Sequence, residues 1–405
     1  AVVKKPEGYT TAKVDQIIQE YEKKSANEQQ STAKQYPNII TVVNETFADI
    51  KVLGDFKTNE DYMPYFHSLK KNCVTGYTYA SIVGGQTANT EFELLTGNTL
   101  GFLSAGTTAF QLYIHGQMPS LVSNLKAEGY SGNKAMHPFN PYNYNRPAVY
   151  KDFGFTDFID KFDFPKNVKR VREYISDEAN VDRIISEYEK NRKKTDQPFY
   201  MYNMTIQNHS PYDKDAANFK QPIKIESSKY DAEANRYLNL IKYSDDSLKQ
   251  LTSYFEKCKE PTIILFLGDH QPRLTDEFMN KITNGQYQTW SSEQMMKRYQ
   301  VPFVIWANYD IKEQHIEKTS MNYIQSILTK TAGVKMTGYQ RFLNEVRKEV
   351  PTITSQGYWG KNGKFYQIND KGSPYYGIIQ KYRMIQYNMM FDKKNRRDSF
   401  FEVSK

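Results

Sequence analysis

Cysteine is scarce. Only Cys73 and Cys258 occur in 405 residues, far apart and not in a Cys-x-x-Cys pattern, so neither a disulfide framework nor a thiolate metal cluster is indicated, and the redox compartment stays open. Long apolar runs are missing too. No stretch approaches the roughly 18 apolar residues that a membrane helix needs, and the opening Ala1-Val2-Val3-Lys4-Lys5 lacks a signal-peptide core. The chain as given reads as a soluble piece. Internal repeats and low-complexity tracts are absent. Lys and Arg total 54 against 46 Asp and Glu, a formal charge of +8, which suits an anionic partner such as phospholipid headgroups or wall polymer. These basic residues are scattered apart from Lys393, Lys394, Arg396 and Arg397, and no zinc-finger, RRM or helix-turn-helix signature accompanies them, which argues against nucleic acid.

Four buried-type strands are present. Residues 38–44 (Asn-Ile-Ile-Thr-Val-Val-Asn), 198–206, 262–267 and 301–306 are apolar runs of the parallel-sheet kind. Helical patterns over 11–24, 90–95, 115–128, 179–193, 231–257 and 320–331 alternate with them, as in a doubly wound, mostly parallel α/β sheet. From about 335 the texture changes. Gly357, Gly360 and the turn-like Lys361-Asn362-Gly363-Lys364 among aromatic residues predict a small antiparallel hairpin, followed by a helix over 376–391. The expected organisation is therefore a helical approach segment over 1–36, a catalytic domain over 37–335 and a small C-terminal α+β subdomain over 336–405.

Strand ends carry the polar residues that matter. Glu45 follows the first strand, His209 the second and Asp269-His270 the third, and ligands in such folds bind beyond the carboxyl ends of strands. Two carboxylates and an imidazole suit a divalent ion such as manganese or zinc rather than calcium. The segment Gly84-Gly85-Gln86-Thr87 offers a tight turn into a helix. A threonine hydroxyl at that N-terminus sits where the helix dipole favours negative charge, and a metal would lower its pKa, making Thr87 both ligand and nucleophile. Each signal has a plainer reading: Gly-Asp is a common turn, Thr87 a helix cap, Glu45 a solvated strand end. His67, His115 and His315 are expected to be structural or surface residues.

The order of these pieces resembles the extracellular domain of lipoteichoic acid synthases and related phosphoglycerol transferases of the alkaline phosphatase and sulfatase superfamily. The matching segments are PNIITVVNETF (37–47), GGQTANTEFELLTG (84–97), HPFNPYNYNRPAVYKDFGFTDFID (137–160), QNHSPY (207–212), YSDDSL (243–248), FLGDHQPRL (266–274) and YRMIQYNMMF (382–391). The resemblance implies a sulfatase-like fold and a manganese ion, with magnesium or zinc as alternatives, held by Glu45, Thr87, Asp269 and His270. It also implies that His137 and Arg146 hold glycerol phosphate, with Tyr144 beside them, and that His209 contacts the substrate or protonates a leaving oxygen. Arg146 suits its role because a guanidinium fork grips phosphate oxygens.

Tyr144 stands where lipoteichoic acid synthases have tryptophan, and Asn89 where they have aspartate. These departures fit a relative that decorates a wall polysaccharide, such as the streptococcal kind acting on a rhamnose-rich carbohydrate, at least as well as a lipoteichoic acid polymerase. The implied donor is phosphatidylglycerol, and the implied acceptor a cell-wall polysaccharide or teichoic acid. The implied place is the outer face of the cytoplasmic membrane, with the domain anchored through N-terminal membrane helices outside this sequence. The rivals are a phosphodiesterase or sulfatase-type hydrolase using the same cleft, and a silent binder of anionic wall polymer. Sulfatases need Cys or Ser in a C/S-x-P-x-R context, which Thr87 lacks.

Overall fold

The computed structural model describes residues 3–28 and 30–403. Strands β1 (Asn38–Asn44), β2 (Cys73–Tyr79), β3 (Ser131–Met136), β4 (Asp157–Ile159), β5 (Phe199–Met204), β6 (Thr262–Gly268), β7 (Gln300–Ala307) and β8 (Gln314–Ser320) form one sheet in the order β8-β2-β7-β6-β1-β5-β3-β4. Its neighbours run parallel except at β7, which is antiparallel to both β6 and β2. Every residue of β1, β5 and β6 is buried. Because successive side chains point to opposite faces, this requires cover on both sides of the sheet. Each fully buried Ile or Val there contributes about 1.5–3 kcal/mol.

The helices of eight residues or more are α1 (Thr11–Lys24), α2 (Thr87–Thr96), α3 (Arg146–Phe153), α4 (Asp177–Arg192), α5 (Ala232–Glu256), α6 (Asp276–Thr283), α7 (Met321–Ala332), α8 (Gly338–Glu349) and α9 (Tyr376–Phe391). Helices α4 and α5 pack as one pair, while α2, α7, α8 and α1 pack in succession as another group. The four strands expected from sequence are all present. The helix expected over 115–128 is shorter, Leu121–Ala127, because Ser120 caps it just after Pro119 and forms a reciprocal capping box with Ser123. After residue 335 the structure adds α8, started by a Thr337–Gln340 capping box. It is followed by the three short antiparallel strands Thr352–Thr354, Gly357–Trp359 and Phe365–Tyr366, with the turn at 361–364 joining the last two. Among the described residues no helix is long and apolar enough to cross a membrane.

Register places the chemistry. Asn44 lies opposite Gly268 and Val43 opposite Met204, so the residues following β1, β6 and β5 emerge together at one sheet edge. Gly268 is required there, since a Cβ at that position would lie 1.8 Å from the Phe47 carbonyl oxygen.

Candidate active site

Four side chains meet at that edge. The Thr87 hydroxyl lies 2.8 Å from Asp269 Oδ2, 3.4 Å from Glu45 Oε2 and 3.4 Å from His270 Nε2. His270 Nε2 is in turn 3.1 Å from Asp269 Oδ2 and 3.6 Å from Glu45 Oε1. All four residues are buried. Thr87 is the first residue of α2, reached through Gly84 and Gln86, both in the left-handed region (φ 73° and 60°). The Gly84 amide ties this loop to the Gln271 carbonyl at 2.9 Å, and the Thr90 hydroxyl donates to the Asp269 carbonyl at 2.7 Å.

The donor set fits a divalent cation. Glu45, Asp269 and His270 each offer a ligand atom within 4.8 Å of the others. A carbonyl only accepts, so the 2.9 Å contact from His270 Nδ1 to Gln271 oxygen puts the proton on Nδ1 and turns Nε2 into the cluster. The charges are unbalanced. Burial, and then the nearby Asp269 charge, push Glu45 up to about 8. Burial opposes the ionised form of Asp269 as well, but the charge and hydrogen bond of His270 and the amide of Thr46 outweigh it and hold Asp269 below the usual carboxylate range. For His270, burial opposes protonation and the charge of Asp269 overcomes it, raising the imidazole to about 9. Asp269 Oδ1 is fixed separately by the amides of Thr46 at 2.7 Å and His270 at 2.8 Å.

Beside this cluster lie the residues expected to hold substrate. His137 directly follows β3 and is buried, and its Nδ1 donates to the Met204 carbonyl at 2.8 Å, leaving Nε2 as a free acceptor. Burial, then the charge of Arg146, hold its pKa well below the usual histidine value, so the ring is neutral. Arg146, also buried, bonds Glu91 Oε2 through Nε (3.1 Å) and Nη2 (2.8 Å), which leaves Nη1 for a ligand. Burial disfavours its charge, but Glu91 more than restores it.

Tyr144 stacks under the Arg146 guanidinium at 5.1 Å. Tyr144 and Asn145 both carry φ of 59°. Two successive non-glycine residues in that region store strain of order 1–3 kcal/mol each, the kind that persists where surrounding structure fixes a functional loop. His209 is half-buried, its Nδ1 donating to the Ser210 carbonyl at 2.6 Å, so Nε2 is the atom that can exchange a proton.

Several supporting residues escaped sequence reasoning. Glu91 Oε1 accepts from Tyr202 at 2.8 Å and from Tyr150, completing a buried anchor for Arg146. Its signal was positional: Thr87, Thr90 and Glu91 share one helix face at i, i+3 and i+4. Asp177 accepts from Asn44 (3.0 Å) and Ser244 (2.6 Å), while Asn208 donates to Asn44 (3.1 Å) and Ser244 (2.7 Å). One buried network therefore braces the residues that precede Glu45 and His209. Asn89, at the divergent position, is a loop anchor, donating to the Thr107 carbonyl and accepting from the Ala109 amide.

Comparison with known proteins fits this architecture. The family model described as sulfatase matches residues 37–334, and the chain belongs to that family. A Rhizobium meliloti protein named for cyclic β-1,2-glucan modification is 31% identical over 380 residues, covering 92% of this chain and 57% of its own length. Thus the chain spans little more than half the length of that curated relative, and about a third of others it matches. Among solved structures, the Streptococcus pyogenes phosphoglycerol transferase GacH in complex with sn-glycerol-1-phosphate superposes with a TM-score of 0.79 at 20% identity, covering 100% of both chains. The lipoteichoic acid synthase LtaP from Listeria monocytogenes superposes with a TM-score of 0.64 at 19% identity over 93% of this chain and 97% of its own. The chain shares the fold of these two solved structures.

Proposed function

We propose that this chain is the catalytic domain of a phosphoglycerol transferase that moves sn-glycerol phosphate from phosphatidylglycerol to a hydroxyl of a cell-wall polysaccharide or teichoic acid. The observation that carries the reading is the Thr87 hydroxyl, 2.8 Å from Asp269 and within 3.4 Å of Glu45 and His270 at a helix N-terminus. Glu45, Thr87, Asp269 and His270 would hold a divalent ion, with manganese the first choice and magnesium or zinc the alternatives. Such an ion would offset the paired carboxylates and lower the pKa of the Thr87 hydroxyl.

Thr87 gives up its proton along the hydrogen bond to Asp269, and its oxygen attacks phosphorus in line. The bond from phosphorus to the diacylglycerol oxygen breaks, and His209 Nε2 supplies that oxygen with a proton, leaving glycerophosphoryl-Thr87. An acceptor hydroxyl then gives its proton to His209 and attacks phosphorus from the vacated side, the bond from phosphorus to the Thr87 oxygen breaks, and Thr87 takes its proton back from Asp269. Arg146 Nη1 neutralises the phosphate oxygens, while neutral His137 accepts a hydrogen bond from a glycerol hydroxyl at Nε2. A glycan acceptor is favoured by the relative named for β-glucan modification. A hydrolase would use the same cleft with water, but Asn89 and Glu91 stand where a sulfatase needs Pro and Arg.

The test is incubation of the purified chain with phosphatidylglycerol vesicles and manganese. Thr87→Ala is expected to lose diacylglycerol release by about 10⁴-fold or more while keeping its unfolding temperature. With acceptor omitted, mass spectrometry should find glycerol phosphate on Thr87 of the wild type. Undiminished release by the variant overturns the scheme.

A further inference from the structure

Next to His209 a cavity of about 680 Å³ opens at the surface, lined by Phe139, Phe162, Phe164, Ile175 and a rim of Lys161, Lys166 and Arg170. His209 borders it through two lining residues: its ring stacks on Phe139 (centroids 6.3 Å, 25°) and packs at 5.8 Å against Tyr174. Phe139 in turn packs on His137 at 6.1 Å. We propose that this cavity receives the diacylglycerol portion of the donor and that its rim rests on the anionic lipid surface from which the donor is drawn. The inference rests on the donor being a glycerophospholipid and adds where its apolar part lies.

One consequence of the proposed chemistry and two observations carry it. The leaving oxygen must reach His209 Nε2, so whatever is attached to that oxygen lies on the His209 side, where this cavity is.

The chemistry of the lining is that of a lipid interface. It is mostly aromatic and aliphatic, with Glu173 its one acid, whereas a sugar subsite needs several amide, hydroxyl or carboxylate groups for ring hydroxyls. Lys161, Lys166 and Arg170 pair with no carboxylate among the described residues, and Lys161 Nζ lies over the Phe139 and Phe162 rings at 5.8 and 5.1 Å. A cationic rim around exposed phenyl rings complements phosphate headgroups above acyl chains.

Finally, Phe162 is 73% exposed and is held outward deliberately. Asp160 and Asp163 cap its short 3₁₀ turn reciprocally, Asp160 accepting from the Phe162 amide at 2.8 Å. Nearby Tyr142, three residues beyond Phe139, is 75% exposed on the adjoining loop.

The experiment compares wild type, Phe162→Asp and Lys166→Glu for sedimentation with vesicles of phosphatidylglycerol and phosphatidylcholine, and for cleavage of vesicular against soluble dihexanoyl phosphatidylglycerol. Both side chains are exposed, so unfolding temperatures should match and certify the fold. Phe162→Asp is expected to weaken vesicle binding about tenfold to a hundredfold, the loss of one buried phenyl ring, and to lower the ratio of vesicular to soluble cleavage. Lys166→Glu should act in the same direction, less strongly, and more at low salt. Binding and cleavage ratios equal to wild type in both variants overturn the proposal. So does a defect that appears only when a glycan acceptor is added, which would assign the cavity to the acceptor. If wild type sediments through Phe162 yet releases no Thr87-dependent diacylglycerol, the donor reading fails and the lipid-facing rim stands.

Discussion

Two buried charged clusters sit side by side in this protein and differ in how completely they are neutralised. Around Glu91 every oxygen is engaged: Oε2 takes two bonds from Arg146, and Oε1 takes the hydroxyls of Tyr150 and Tyr202. Around Thr87, two carboxylates crowd a single imidazole, and Glu45 is pushed up to about 8 by burial and by its neighbour's charge. The first cluster is finished by the protein itself and serves to hold a guanidinium in place. The second lacks protein cations enough to let both carboxylates ionise together at this helix N-terminus, the arrangement expected where a cation completes the site.

Breaking the finished cluster should have the largest effect on stability. Glu91→Ala strands the Arg146 charge in the interior and is expected to cost about 3–5 kcal/mol in chemical denaturation. A loss below about 1 kcal/mol would mean that Arg146 finds water. The unfinished cluster should respond to metal instead. Manganese at a hundredfold excess over its dissociation constant should stabilise the wild type by about 2.7 kcal/mol, read as a concentration-dependent rise in unfolding temperature. Asp269→Asn should remove that response while keeping the fold, since an amide oxygen can retain the two backbone bonds now made to Oδ1, although the charge that pairs with His270 is lost. A metal response that survives Asp269→Asn would place the ion elsewhere.

The contrast also explains what could be read from the sequence. β1 and β6 are continuous apolar runs, buried on both faces, and the residues just after them were legible as a site because strand ends are where polar groups gather. The strand β8, Gln-His-Ile-Glu-Lys-Thr-Ser, is an edge strand with an exposed first half, and its polarity hid it. β3 was hidden by Gly132, which sits at φ 81° beside a register shift. Helix α2 concealed Glu91 for the opposite reason. All ten of its residues are buried, so no polar face contrasts with an apolar one to single out the residue that anchors Arg146. The left-handed pair Tyr144 and Asn145 was equally unreadable, because neither is a glycine that would mark a positive φ in the sequence.

A third cluster shows how far exposure weakens such pairing, and it should give the smallest effect. His67 bridges Asp49 at 2.9 Å and Asp61 at 2.7 Å, with 39% of its side chain exposed. The hydrogen bond to Asp49 raises the imidazole, burial opposes it, and Asp61 adds to the rise, giving about 9. A folded-state pKa above the unfolded value of about 6.5 means that the protonated form is favoured by folding. Its contribution is therefore complete below pH 6.5 and disappears as pH rises through about 9. Solvent screening keeps it below about 1 kcal/mol. His67→Gln should thus be less stable than wild type at pH 6, and the two denaturation curves should converge by about pH 10. A difference that persists at high pH would come from packing of the ring against Phe66, 6.3 Å away, rather than from charge.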